Sequence, residues 1–110
     1  MKPGRFGLTE ETVEKISGIL ARHPQVDKAV LYGSRAKGSY KNGSDIDLTL
    51  FGEQLSHREL LDITRELDDL LLPYTIDLSI FHQLTHQDLL EHIQRVGKVF
   101  YERTPVTAKD

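Results

Sequence analysis

Residues 44–51 read Ser-Asp-Ile-Asp-Leu-Thr-Leu-Phe, and their alternation decides the fold. Ile46, Leu48 and Leu50 take every second position, with Asp45, Asp47 and Thr49 between them. Side chains along a β-strand point alternately to its two faces, so Asp45–Phe51 is predicted to be a strand with one buried and one polar face. Tyr74–Ile80 repeats the pattern, placing Ile76, Leu78 and Ile80 on one side and Thr75, Asp77 and Ser79 on the other. Upstream, Val26–Tyr32 ends in a continuous apolar run, as suits a strand covered on both sides. Gly33-Ser34 breaks that strand. Residues 35–44 then form a polar connection with Gly38 and Asn42-Gly43. A link so short cannot hold a full parallel crossover, so the sheet is expected to be mixed.

Helical signals fill the gaps between these strands. Thr9 is placed to cap a first helix, with Leu8 and Val13 as its hydrophobic staple, Val13, Ile16, Ile19 and Leu20 as its buried face, and Pro24 as its stop. Ser56-His57-Arg58-Glu59 is a capping box between Leu55 and Leu60. It opens a helix buried through Leu60, Ile63, Leu67, Leu70 and Leu71 and closed by Pro73. A last helix is expected from Thr85, facing inward through Leu89, Leu90, Ile93 and Val96 and ended by Gly97, with Val99-Phe100-Tyr101 as an edge strand. The order αβ(α)βαβαβ describes an α/β (α+β) domain, a small mixed sheet covered by helices.

At 110 residues the chain has room for one domain, with an ordered core at about 8–102 and fraying expected at 1–7 and 103–110. Hydrophobic residues make up 38% and charged residues 28%, the composition of a globular protein. Without cysteine, disulfides and thiol chemistry are excluded. A net charge of −3 argues against a nucleic-acid-coating role, and no apolar run approaches membrane-spanning length. The expected location is the cytoplasm.

The strand faces carry the chemistry. Residues i and i+2 of a strand lie about 6.5–7 Å apart on one side, so Asp45 and Asp47 stand side by side. If the strand of Asp77 is adjacent, three carboxylates converge. Their repulsion is relieved most simply by a hard divalent cation. Gly33-Ser34 lies at a strand end, where backbone N–H groups can approach an anion without obstruction from a side chain. Lys28, Arg35, Lys37 and Lys41 form the chain's one basic stretch, free of acids, whereas from Gly52 to Gln94 acids outnumber bases nine to two. Beside these, the stripe Glu59, Asp62, Glu66 and Asp69 reads as a solvated helix face. His82 and His86 lack a third zinc ligand, and His57 and His92 read as surface or packing residues.

Leu31-Tyr32-Gly33-Ser34-Arg35-Ala36-Lys37-Gly38, followed by Ser44-Asp45-Ile46-Asp47-Leu48, resembles the signature of the DNA polymerase β-like nucleotidyltransferase superfamily: Gly-Ser, about ten residues, then Asp-x-Asp. Either half alone means little; joined to Asp77 on the next strand they are specific. The resemblance spans Thr9 to about Tyr101. It is nearest to the minimal nucleotidyltransferases (MNT proteins), many of which are antitoxins paired with HEPN-domain ribonuclease toxins.

That resemblance implies a magnesium-dependent enzyme with two ions, using ATP as co-substrate and moving AMP to a tyrosine of the toxin. Asp45, Asp47 and Asp77 would be the metal-binding and catalytic residues. Gly33, Ser34, Arg35, Lys37 and Ser44 would bind the nucleotide. Larger relatives carry a helical region that holds the acceptor, so a homo- or hetero-oligomeric partner is expected to supply that surface. Two other functions fit the same residues: a non-catalytic module that occludes the toxin, and a transferase acting on a small molecule or a nucleic-acid end.

Overall fold

The computed structural model describes residues 5–41 and 43–103. Four strands, β1 (Lys28–Tyr32), β2 (Ile46–Phe51), β3 (Ile76–Ile80) and β4 (Lys98–Glu102), form one sheet in the order β3-β2-β1-β4. β1 runs antiparallel to both β2 and β4, while β2 and β3 are parallel. The sheet is therefore mixed, and β4 is an edge strand. Parallel pairing of β2 with β3 needs a long crossover, which α3 (His57–Asp68) supplies.

Three of the four α-helices begin where a side chain can satisfy the free backbone N–H groups of the first turn. The Thr9 hydroxyl accepts from the Thr12 N–H at the start of α1 (Glu10–Ala21). Ser56 and Glu59 close a reciprocal capping box ahead of α3. For α4 (Gln87–Val96) the cap is His86, whose Nδ1 accepts from the Leu89 N–H, one residue later than the expected Thr85. A four-residue helix, α2 (Ser34–Lys37), follows β1 directly.

The two faces of the sheet are unequally covered. On one, α1 and α3 bury Ala29 and Leu31 of β1 and Ile46, Leu48 and Leu50 of β2 against Val13, Ile16, Leu20, Ile63 and Leu67. On the other, α4 covers Val30 and Tyr32 through Ile93, with Leu89 and Val96 beside it. Only this second, thinner layer shares its face with Asp47 and Asp77, which leaves their end of the sheet open.

Several expectations change. α3 ends at Asp68, and Leu71, expected on its buried face, adopts φ +55° and is 88% exposed. Beyond Asp68 the helical phase no longer governs which side faces the core. Glu66 is no solvated charge: it meets His23 Nε2 at 3.2 Å and Arg22 at 3.7 Å, tying α3 to the end of α1. Of the ends expected to fray, Phe6 and Arg103 are held against the fold. Phe6 stacks on Phe100 at 6.0 Å, and the Arg103 guanidinium donates to the carbonyls of Val26 and His23. Residues 1–4 and 104–110, and Asn42 of the connection, lie outside the described residues.

Candidate functional site

The strand register pairs two of the three expected carboxylates. Asp47 is the direct partner of Tyr32 across β1–β2 and of Asp77 across β2–β3. Neighbouring strands lie about 4.8 Å apart, and paired residues of a ladder share a face, so Tyr32, Asp47 and Asp77 form one row across three strands. Asp45, immediately ahead of β2, projects from the same end and is exposed. The row behind holds Val30, Thr49 and Ser79. Both hydroxyls are buried without a hydrogen bond.

Gly33 explains why glycine is needed at the end of β1. Its φ of +78° with ψ of −157° is a backbone conformation that only glycine adopts without strain. A Cβ built there would collide with the Asp47 carboxylate oxygen Oδ2. The bend at residues 33–34 thus lies against the central carboxylate, leaving no side chain between them.

The electrostatics follow from this crowding. Burial, then the like charges of Asp77 and Asp45, push the Asp47 carboxyl above its usual range. Burial likewise raises the Tyr32 phenol, helped by Asp47 and Asp77 and opposed by the nearby Ser79 hydroxyl. Among the described residues no Lys or Arg forms an ion pair with Asp45, Asp47 or Asp77. Nor do three His, Asp or Glu side chains there already stand in the spacing of a closed metal centre. A magnesium ion bound by one or two carboxylates, with phosphates and waters as its other ligands, requires no such cage. The donor set, a raised Asp47 carboxyl with Asp77 in register beside it and an unobstructed backbone bend against it, fits that kind of ion.

The basic stretch behaves differently from expectation. Arg35, expected at the triphosphate, is 3% exposed and committed elsewhere. Nε and one terminal nitrogen donate to the Ser44 carbonyl at 3.1 and 2.9 Å, and the other terminal nitrogen donates to the Phe6 carbonyl at 2.8 Å. The guanidinium also lies over the rings of Tyr40 and Tyr74. Its role is to pin the connection that leads into Asp45 (a buried guanidinium has to spend its N–H groups on nearby carbonyls).

Ser44 is half-buried and holds the same turn, its hydroxyl accepting from the Lys41 N–H at 2.8 Å. Lys28 starts β1, four residues and about 13 Å from Tyr32, and its ammonium sits 4.6 Å above the Phe51 ring. Lys37 and Lys41 are the exposed cations of the stretch. Beside Arg35 is a cavity of about 230 Å³ whose lining includes Tyr40, Lys41 and Tyr74 and none of the three aspartates.

Sequence reasoning missed one residue. His92 is half-buried; its Nε2 accepts the Gly33 N–H at 3.1 Å, and its ring meets Tyr32 edge-on at 6.1 Å. The signal was available, because His92 falls on the apolar stripe Leu89, Ile93, Val96 of α4 rather than on its polar side.

Comparison with solved structures gives the same fold. A toxin–antitoxin crystal structure with AMP-PNP superimposes with a TM-score of 0.68 at 22% identity, covering 83% of this chain and 73% of that one. An MNT antitoxin in complex with a tri-AMPylated HEPN toxin from Shewanella oneidensis matches with a TM-score of 0.65 at 18% identity, covering 87% and 74%. The MntA–HepT toxin–antitoxin matches at 0.64 and 19%, covering 86% and 73%. No curated protein sequence matches the chain. The family model for polymerase β nucleotidyltransferases, however, matches residues 14–105, a span that contains the glycine bend and all three aspartates, and the chain belongs to that nucleotidyltransferase family.

Proposed function

We propose that this protein is a magnesium-dependent adenylyltransferase that moves AMP from ATP to a tyrosine hydroxyl of a HEPN-domain ribonuclease toxin and thereby acts as its antitoxin. The observation that carries the reading is the pairing of Asp47 with Asp77 in register, with the Gly33 backbone against Asp47. Similarity to the antitoxins of toxin complexes, one with AMP-PNP and one with an AMPylated toxin, supports the choice of nucleotide and partner.

In this reading Asp45, Asp47 and Asp77 would hold the ion or ions, whose charge would offset that of the triphosphate and of the departing pyrophosphate. The Gly33-Ser34 bend carries the triphosphate, and Lys37 lies at the other end of the same short helix. Asp77, exposed and at the edge of the row, takes the proton of the incoming hydroxyl. The acceptor oxygen then bonds to the α-phosphorus, the bond from that phosphorus to the bridging oxygen breaks, and pyrophosphate leaves. Tyr32, its phenol raised, stays protonated as a neutral neighbour of Asp47 at the β1 end of the row.

The test is co-expression with a HEPN toxin, followed by intact mass of the toxin. Additions of AMP mass that vanish with Asp47→Asn support the reading. An unmodified toxin that both the native chain and this variant neutralise makes the chain an occluding module. AMP transfer from labelled ATP to small hydroxyl compounds or nucleic-acid ends without the toxin assigns a different acceptor.

A further inference from the structure

We propose that His92 is a positioning residue for the glycine-serine bend, holding the Gly33 backbone in the conformation that lays it against Asp47. The bend has little of its own to fix it. Glycine loses more conformational freedom on ordering than any other residue, and α2 is too short to be stable alone. The restraint comes from 59 residues away: the lone pair of His92 Nε2 accepts the Gly33 N–H. An accepting Nε2 carries no hydrogen, so the contact uses the tautomer with its proton on Nδ1.

The imidazole is itself fixed on two sides. It meets the Tyr32 ring in a T-shaped contact, and its backbone belongs to α4, whose Ile93 is buried against Val30 and Tyr32. α4 therefore does more than cover a sheet face: it braces the phosphate-facing turn through a single polar contact. With the Gly33 N–H committed to His92, the Ser34 hydroxyl and the backbone following it are left for the triphosphate. This last consequence rests on the proposed function; the bracing itself does not.

Two variants separate the hydrogen bond from mere bulk. His92→Gln keeps an acceptor near the place of Nε2, and His92→Leu fills similar space without one. The net worth of one hydrogen bond predicts that His92→Leu raises the KM for magnesium-ATP roughly fivefold, with His92→Gln within about twofold of the native chain. In both, the thermal midpoint is measured alongside, and the Gly33 amide is followed by hydrogen exchange in the nucleotide-free protein. Loss of Gly33 protection in His92→Leu, retained in His92→Gln, supports the proposal even if the native chain binds no nucleotide, an outcome that would overturn only the functional reading. Equal Gly33 protection in all three proteins overturns the bracing role. So does a KM that changes equally in both variants.

Discussion

Replacing Gly33 with alanine tests the centre of the site. The added methyl meets two penalties of different origin. The backbone must hold φ at +78° with an extended ψ, a region that costs a non-glycine residue about 1–3 kcal/mol. The Cβ also occupies the place of Asp47 Oδ2, so the carboxylate has to rotate out of the row it shares with Asp77. For a domain of this size about 1 kcal/mol moves the thermal midpoint by roughly 4–8 °C, so Gly33→Ala should melt roughly 4–24 °C below the native chain.

Gly38→Ala is the matched control. Its φ is +84°, but a Cβ there meets nothing within 4 Å. Alanine at 38 should lower the midpoint through backbone strain of about 1–2 kcal/mol and leave transfer intact. Alanine at 33 should abolish transfer even at temperatures where the variant is fully folded. Midpoints come from calorimetry and transfer from labelled ATP with the toxin. If folded Gly33→Ala transfers AMP like the native chain, the contact between bend and carboxylate has no part in the chemistry.

Other outcomes follow from the same geometry. Asp47→Asn should raise the thermal midpoint, because it removes a half-buried charge facing two like charges, while transfer falls by about a hundredfold or more; a lower midpoint measured by calorimetry would contradict the repulsion. A carboxyl raised in the folded state favours the folded, protonated form, so the contribution of Asp47 to stability should fall as pH rises from its ordinary value of 3.8 through its higher folded value. Denaturant titrations across that range should show the slope in the native chain and a flatter one in Asp47→Asn. Arg35→Ala should cost about 3 kcal/mol or more, and Arg35→Lys should rescue little of it, since an ammonium cannot reproduce the two-pronged grip on the Ser44 carbonyl; urea unfolding reads both. Leu71→Asn should stabilise by about 0.5–1 kcal/mol, because asparagine tolerates the left-handed backbone and the exposed leucine packs against little.

What could be read beforehand was what repeats or caps locally. The alternation of Asp45–Phe51 and Tyr74–Ile80 placed Asp47 and Asp77 on polar strand faces, and Thr9 and Ser56 marked their helices. The short link between β1 and β2 correctly excluded a parallel pair. What stayed hidden depended on long-range partners. Arg35 follows the bend directly, and only the fold shows that its guanidinium turns back to Phe6 and Ser44. Leu71 keeps the helical phase in sequence after the helix itself has ended. His92 broke the apolar pattern of α4, but which atom it meets depends on the docking of that helix over Tyr32.

These displaced cations sharpen the meaning of the carboxylate row. Of the four basic residues in the stretch that leads to Asp45, one lies over Phe51 at the far end of β1 and one is sealed between two tyrosines. Neither can neutralise Asp47. The fold thus gathers negative charge at the thinly covered end of its sheet, raises the carboxyl at the centre of it, and leaves it without an ion-paired lysine or arginine among the described residues. An arrangement selected for stability alone would exchange one aspartate for a neutral residue. A raised carboxyl held in a cluster of like charges at an open end of a sheet makes that end a functional-site candidate. In the proposed function, a cation carried in with a nucleotide would relieve that repulsion, and the instability of the free site would become part of its affinity for the ligand.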